Sequence, residues 1–408
     1  VPTAPPRTPP PAEAGPASLA RKGLTGFFLS GLLLALLGAI LPAWGYHVRE
    51  DFLTVGNFFL SMNVGLLLSA AFAHYGLAGR DSPTTLVTAC AVACASLLVL
   101  ALLPPGIPDW GRMAGIAGVG LGAGLLNRGV FQAISVLYRS DPAATVNLAG
   151  IFFGSGCVAV SLLVAGTFYV YTVASILVWI ALIPGLFLGM YIKALKASAA
   201  WRAEAPERAG TPGWRETLTA LRSPPAVLLA LLLFFQFGNE WSLAGWLPLL
   251  LTKRVGVSPA SSLLMLTLYW LALLVGRVAA SALLPRLPHG KLLGAGGLAA
   301  LLGCIVLAAT NNRFGAVSGI LLVGGGFAPV YPLAVERIGG RFPSYHPGFF
   351  NGIFSFAVSG GLLAPWSLGF FVDRWGAGAV IAVPLLGTLM VCLLVVLLWA
   401  EAKLASYG

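Results

Sequence analysis

One carboxylate stands deep inside an apolar run. Glu240 lies in the segment Phe237-Gly238-Asn239-Glu240-Trp241-Ser242. In a lipid-embedded helix a carboxylate is costly unless it is solvated, paired or protonated. The residue type fits a proton carrier, a cation ligand or an acceptor for substrate hydroxyls; an interhelical hydrogen bond is the plainer structural alternative. Gln236 and Asn239 add hydrogen-bonding groups, and Trp241 and Trp246 add flat apolar faces. That mixture suits a sugar, whose hydroxyls need partners and whose C–H faces stack on aromatic rings. Only a subset of such close neighbours can face one cavity from a helix.

Arg128 is the second expensive residue, in Asn127-Arg128-Gly129-Val130-Phe131-Gln132. Asn127 with Phe131, and Arg128 with Gln132, stand four apart and so share helix faces. The guanidinium stays charged. It reads as a partner for Glu240 or a contact for an anionic substrate, with snorkelling toward a headgroup layer as the alternative. Arg277, after Gly276, lies nearer a helix end than its middle and reads as a structural or gating contact. Asn57, Ser61, Asn63, Asn147, Tyr269, Trp270, Tyr331, Asn351 and Trp366 are cheaper polar groups that either line a passage or tie helices together. Pro42, Pro248, Pro329, Pro332 and Pro365 remove helix hydrogen bonds and bend what they sit in.

These residues require long helices to hold them. A bilayer crossing needs about 20 mostly apolar residues, and twelve such runs occur, at about 23–45, 53–75, 83–103, 111–138, 143–168, 170–192, 224–251, 258–284, 290–310, 314–335, 346–371 and 377–400. They are too long, and too apolar on every side, for β spans. Hydrophobic residues make up 58% of the 408 and charged residues only 9%, and the mean hydropathy is +0.90. That balance excludes a disordered chain, a nucleic-acid-binding domain and an ordinary soluble enzyme. The net charge of +11 comes from basic residues at the ends of apolar runs, where they face water and lipid headgroups. No nucleophile–base set, phosphate-binding loop or metal-ligand cluster stands out, so neither catalysis nor a metal or cofactor is expected. The five cysteines, Cys90, Cys94, Cys157, Cys304 and Cys392, all sit in apolar runs and read as small buried side chains.

The expected organisation is a disordered tail over 1–20, a six-helix bundle over 21–192, a charged cytoplasmic linker over 193–223, a second six-helix bundle over 224–402 and a short tail over 403–408. With both termini inside, sixteen Lys and Arg fall on the inner side and six on the outer, the bias expected of a multi-pass plasma-membrane protein with cytoplasmic termini, in a bacterial inner membrane if the source is prokaryotic.

The two halves also repeat. At an offset of 204 residues, Val119-Gly120-Leu121-Gly122 meets Val323-Gly324-Gly325-Gly326, and Asn147 with Ser155-Gly156 meets Asn351 with Ser359-Gly360. Both matches fall in runs that hold the same place in their halves. Such a six-plus-six repeat is a transporter feature in which two bundles enclose a midplane site and rock about it.

The twelve-helix plan with a charged central loop resembles the major facilitator superfamily over about 21–400. Arg80-Asp81, and Gly276-Arg277 with Leu287-Pro288-His289-Gly290-Lys291, look like reduced copies of its conserved loop. Gly238-Asn239-Glu240-Trp241 through Gly245-Trp246-Leu247, Val323-Gly324-Gly325-Gly326 through Tyr331-Pro332-Leu333-Ala334, and Ser359-Gly360-Gly361 with Pro365-Trp366 are similar to the fucose–proton symporter and glucose-transporter-like branch. The resemblance implies an all-α polytopic fold with a site lined by runs 1, 4, 5, 7, 8, 10 and 11. It implies a secondary active transporter moving a small polar solute, a sugar first, by alternating access with H+ or Na+ coupling. Fucose symporters use acids in the first half; this chain has none in its first-half runs.

Glu240 is therefore expected to couple. Arg128, Gln132, Gln236, Asn239, Trp246 and Asn351 are expected to meet substrate or line the cavity. Asn127, Arg277, Asn147, Tyr331, Pro332 and Trp366 are expected to gate or support. The expected partners are a small-molecule substrate and membrane lipids, without nucleic acid, around a monomer. The alternatives are an organic-anion transporter, an exporter of lipophilic compounds, and a membrane receptor that binds without flux.

Overall fold

Apolar runs of this length can satisfy their backbone in lipid only by coiling, and each does. In a computed structural model, which describes residues 16–77, 82–103, 107–134, 142–198, 223–283, 286–341 and 347–404, twelve helices are long and apolar enough to cross a membrane. The first six are α1 (Pro16–Ile40), α2 (Phe52–Tyr75), α3 (Ser82–Leu102), α4 (Asp109–Ala133), α5 (Pro142–Thr167) and α6 (Val173–Ser198). The second six are α7 (Pro224–Leu250), α8 (Pro259–Leu283), α9 (His289–Ala309), α10 (α10a, Arg313–Phe327; α10b, Val330–Arg341), α11 (Pro347–Trp375) and α12 (Ala379–Leu404). Side chains such as Leu186, Leu298 and Leu386 stand exposed on the outside of the bundle, as they would against lipid.

Local chemistry sets the helix ends. The Asp51 carboxylate caps α2 by accepting from the Thr54 N–H at 3.1 Å, and the Asn312 side chain caps α10a by accepting from the Gly315 N–H at 2.8 Å. Proline opens α7 after Ser223, where its missing N–H costs nothing. Pro329 and Pro332 divide the tenth span after Phe327. The end of α7 loosens after Pro248 into a π-helical turn, Leu251–Val255, which Gly256 closes at φ 70°. α1 starts at Pro16, inside the stretch expected as a tail, because Ala17, Leu19 and Ala20 extend the helix toward its N-terminus. α12 likewise runs to Leu404, past the expected start of the last tail. Most of the 193–223 linker, together with Arg80 and Asp81, lies outside the described residues.

The halves pack alike. In the first, α1 lies on α5, α4 lies between α2 and α3, and α3 lies on α6. In the second, α7 lies on α11, α10a lies between α8 and α9, and α9 lies on α12. Between halves, α2 meets α11 and α5 meets α8, contacts that interchange when the halves are swapped. α1, α4, α7 and α10 are the most enclosed spans, so the core lies at the centre of the bundle.

The repeated glycines make these contacts close. A methyl group built on Gly120 would sit 2.1 Å from the Met62 carbonyl oxygen of α2, and one on Gly324 would sit 2.8 Å from the Tyr269 carbonyl oxygen of α8. Gly122 and Gly326 approach the backbones of α3 and α9 in the same way, at Ala93 and Ala300. The sequence offset of 204 thus corresponds to equivalent packing, with backbones approaching as only glycine allows.

Candidate functional site

A cavity of about 220 Å³ lies between the halves. It is walled by Phe27 of α1, Phe59 and Asn63 of α2, Asn127 and Phe131 of α4, Phe153 of α5, Phe237, Glu240 and Trp241 of α7, Arg277 of α8, Tyr331 of α10b and Leu362 of α11, among others. The participation of the last turns of α4 and the first turns of α5 carries it toward the face where α1 begins and α12 ends. At the opposite face the halves meet. Gly38 packs on the backbone of Ala244 and Gly245, Gly56 packs on Gly369, and the Phe59 ring stacks on Trp246 at 6.0 Å. An ion pair between Lys253 and Glu50 joins the halves at that rim.

Glu240 and Arg277 meet at the cavity wall. The Arg277 Nη2 donates to Glu240 Oε1 at 3.3 Å, with the two residues only 3% and 5% exposed. The pair joins neighbouring antiparallel helices and is neutral as a unit, the condition under which buried charges persist. Arg277 also reaches the other half: its Nη1 donates to the Gly150 carbonyl of α5 at 3.1 Å. The Tyr269 hydroxyl donates to the Glu240 carbonyl at 3.3 Å and fixes the α7 backbone there. Glu240 Oε2 and Arg277 Nε are buried without a hydrogen-bond partner.

The remaining polar wall is largely engaged. Asn63 Nδ2 donates to the Leu362 carbonyl at 2.7 Å across the halves. Asn127 Oδ1 accepts from the Ser30 hydroxyl. The aromatic walls interlock: Phe153 meets Trp241 edge-on at 6.0 Å across the halves, and Phe237 meets Tyr331 at 5.4 Å.

Other residues singled out in the sequence lie elsewhere. Arg128 and Gln132 are exposed and absent from the cavity wall, since each sits one position past a wall residue, Asn127 or Phe131, and a helix turns through about 100° per residue. The partner of Glu240 is Arg277, not Arg128. Gln236 is fully buried against α10a, with Nε2 donating to the Phe327 carbonyl at 3.5 Å. Asn239 points to α12, where it donates to the Thr388 hydroxyl at 3.4 Å. Trp246 is buried behind the cavity, with Nε1 donating to the Pro365 carbonyl at 2.9 Å. Asn147 and Pro332 are partly buried on α5 and α10b, off the wall. Trp366 packs on Phe370 at 5.6 Å. Asn351 belongs to α11, and its side chain lies outside the described residues. Phe27, Phe59, Phe131 and Phe153 form wall that residue type alone did not mark. Among the described residues, no three His, Cys, Asp or Glu side chains gather as a metal site requires.

The family model described as Major Facilitator Superfamily matches residues 23–365. The chain belongs to the major facilitator superfamily. An uncharacterized MFS-type transporter of Yersinia pestis is 23% identical over 359 residues, which is 85% of this chain and 87% of that protein. The fold is similar to the crystal structure of the major facilitator transporter FucP in the outward conformation, with a TM-score of 0.60 at 15% identity over 93% of this chain and 98% of that one. It is also similar to a crystal structure of a variant of the E. coli fucose:proton symporter FucP, with a TM-score of 0.59 at 15% identity and the same coverage. As a major facilitator protein the chain is a multi-pass secondary transporter of a small solute, working by alternating access rather than catalysis.

Proposed function

We propose that this transporter couples solute movement to a proton at Glu240, and that the solute is a small sugar-like molecule. The observation that carries the reading is a carboxylate 3% exposed at the wall of the cavity between the halves, with one oxygen unpartnered. Protonating Glu240 would weaken its hold on Arg277, and Arg277 also touches Gly150 of the other half. Loading a proton and changing the fit between halves are thereby linked through one guanidinium. Trp241, Phe153 and Phe237 offer rings for the C–H faces of a sugar, and Asn63, Asn127 and Tyr331 stand among them.

The apolar predominance of the wall favours a second reading, an exporter of lipophilic compounds. An organic-anion transporter centred on Arg128 draws no support from that residue's exposed position. The excess of Lys and Arg on the side of the termini supports a cytoplasmic placement of that face, so the cavity would face inward in this conformation.

Proteoliposomes loaded against a proton gradient, and separately a sodium gradient, test the proposal with a panel of labelled neutral sugars and lipophilic amines. Gradient-driven sugar uptake that survives removal of sodium and disappears in Glu240→Gln is the expected result. Uptake unchanged by Glu240→Gln, or driven by sodium alone, would refute proton coupling at Glu240. Flux of the amines without sugar flux would favour the second reading.

A further inference from the structure

The charged pair in the cavity has more hydrogen-bonding capacity than it uses. Glu240 directs Oε1 to Arg277, while Oε2 has no close hydrogen-bond partner and the Gln236 side chain is the neighbour beside the carboxylate; Arg277 directs Nη1 and Nη2 to Gly150 and Glu240, and its Nε proton is unpartnered. One acceptor and one donor, both buried, thus belong to a single neutral unit at the cavity wall. Buried polar atoms without partners are costly, and a solute that supplies both partners relieves both costs at once.

We infer that the Glu240–Arg277 pair selects for solutes that carry no net charge and present a hydrogen-bond donor beside an acceptor on a flat body, as an aromatic amide or a vicinal diol does. This rests on the reading of the cavity as the transport site. The donor meets Glu240 Oε2, and the acceptor meets Arg277 Nε. The body lies against Phe153, Trp241 and Phe237, whose rings meet edge-on or tilt against their neighbours around the pair. A net anion or cation is disfavoured because the pair is already balanced. Such a solute would bring an uncompensated charge into a wall where Glu240 and Arg277 are the only ionisable carboxylate and guanidinium among the described residues. Selectivity therefore follows the net charge of the pair, and changing that charge changes the preferred solute.

The test uses full-length protein in detergent and three probes of similar shape: nicotinamide, nicotinate and benzylammonium. Binding is measured by thermal shift and equilibrium dialysis at pH 8. The wild-type protein is expected to favour nicotinamide over both ions by about tenfold or more. Glu240→Gln leaves the arginine charge and is expected to move the preference to nicotinate; Arg277→Gln leaves the carboxylate and is expected to move it to benzylammonium. The double Gln variant keeps a donor and an acceptor without charge, and restores the preference for nicotinamide even where a single variant folds poorly. A wild-type preference for either ion, no nicotinamide binding at all, or a preference that neither single variant moves would overturn the inference. Charge-dependent selectivity in a protein that shows no flux in proteoliposomes would leave the inference standing and remove the transport reading beneath it.

Discussion

The two halves share a scaffold and divide the chemistry unequally. Gly120 and Gly122 seat α4 on α2 and α3 as Gly324 and Gly326 seat α10a on α8 and α9. Gly156 approaches the Phe28 carbonyl of α1, and Gly360 approaches the Phe234 carbonyl of α7. Polar content follows no such symmetry. The middle of α7 buries Gln236, Asn239, Glu240 and Ser242, whereas the stretch of α1 at the 204-residue offset buries Leu32, Leu33, Ala35, Leu36 and Leu37, with Ser30 the buried polar residue next to it. α7 also lies along α12 and is tied to it through Asn239 and Thr388, while α1 touches α6 only lightly. Packing repeats because both bundles must rotate alike. The ionisable wall pair needs only one bundle, provided that bundle can reach the other, as Arg277 does at Gly150.

The shared scaffold is the easiest part to break. A Cβ at Gly156 would lie 1.9 Å from the Phe28 carbonyl oxygen, and one at Gly360 would lie 2.1 Å from that of Phe234. Gly156→Leu and Gly360→Leu should each cost about 3 kcal/mol or more, seen as loss of the monodisperse peak in fluorescence-detected size exclusion. Tolerance of one but not the other would show that the halves are not mechanical equivalents.

The unequal chemistry can be erased. Arg277→Leu leaves the Glu240 carboxylate without its cation and should destabilise the protein by about 3–5 kcal/mol. Glu240→Leu/Arg277→Leu makes the second half as apolar as the first there; it should recover most of the melting temperature while gradient-driven transport stays absent. Transport by the double variant would show that the pair is not needed.

A polar cluster at the rim of the first half ties the turn after α1 to the start of α4. Tyr46 donates to Asp109 Oδ1 at 2.7 Å, Arg112 Nη1 donates to the Tyr46 hydroxyl at 3.0 Å, and the Arg112 guanidinium lies 5.8 Å from the Trp44 ring. Burial, then the bond to Asp109, pushes the Tyr46 hydroxyl up from 10.0 to about 12. A raised acid keeps its full stabilisation below the unfolded value and loses it as pH rises through the folded one. Thermal unfolding should therefore show a loss between about pH 10 and pH 12 that Tyr46→Phe removes, at a neutral-pH cost of about 1–2 kcal/mol. The exposed Lys253–Glu50 pair comes last. Lys253→Ala should change stability by about 1 kcal/mol or less, an effect that vanishes in high salt.

The fold was legible because lipid leaves so little choice: length and hydropathy marked all twelve spans, and the glycine repeat marked the correspondence between the two halves. Glu240 was legible as an anomaly, since a lone acid in an apolar run has few bland explanations. Its partner was less so. Arg128 and Arg277 are both basic residues in spans, and composition does not say which faces inward; that α7 and α8 are consecutive and antiparallel was the available signal for Arg277. Asn127 lines the wall while Arg128 does not, a distinction set by one step of helix rotation that α4, apolar on most sides, does not announce. The Gly150 carbonyl left no trace in the sequence, because every residue has one.

Much of the seam on the face opposite the termini sets main chain against main chain, Gly38 on Ala244 and Gly245 and Gly56 on Gly369, beside the Phe59–Trp246 stack and the Lys253–Glu50 pair. Surfaces joined that way carry few knobs to unlatch. They can part like two smooth plates, with the cost spread over many weak dispersion contacts and little of it in side-chain rearrangement. Resistance to opening on that side should rise gradually with separation, so the sharper threshold in the cycle falls to whatever happens around Arg277.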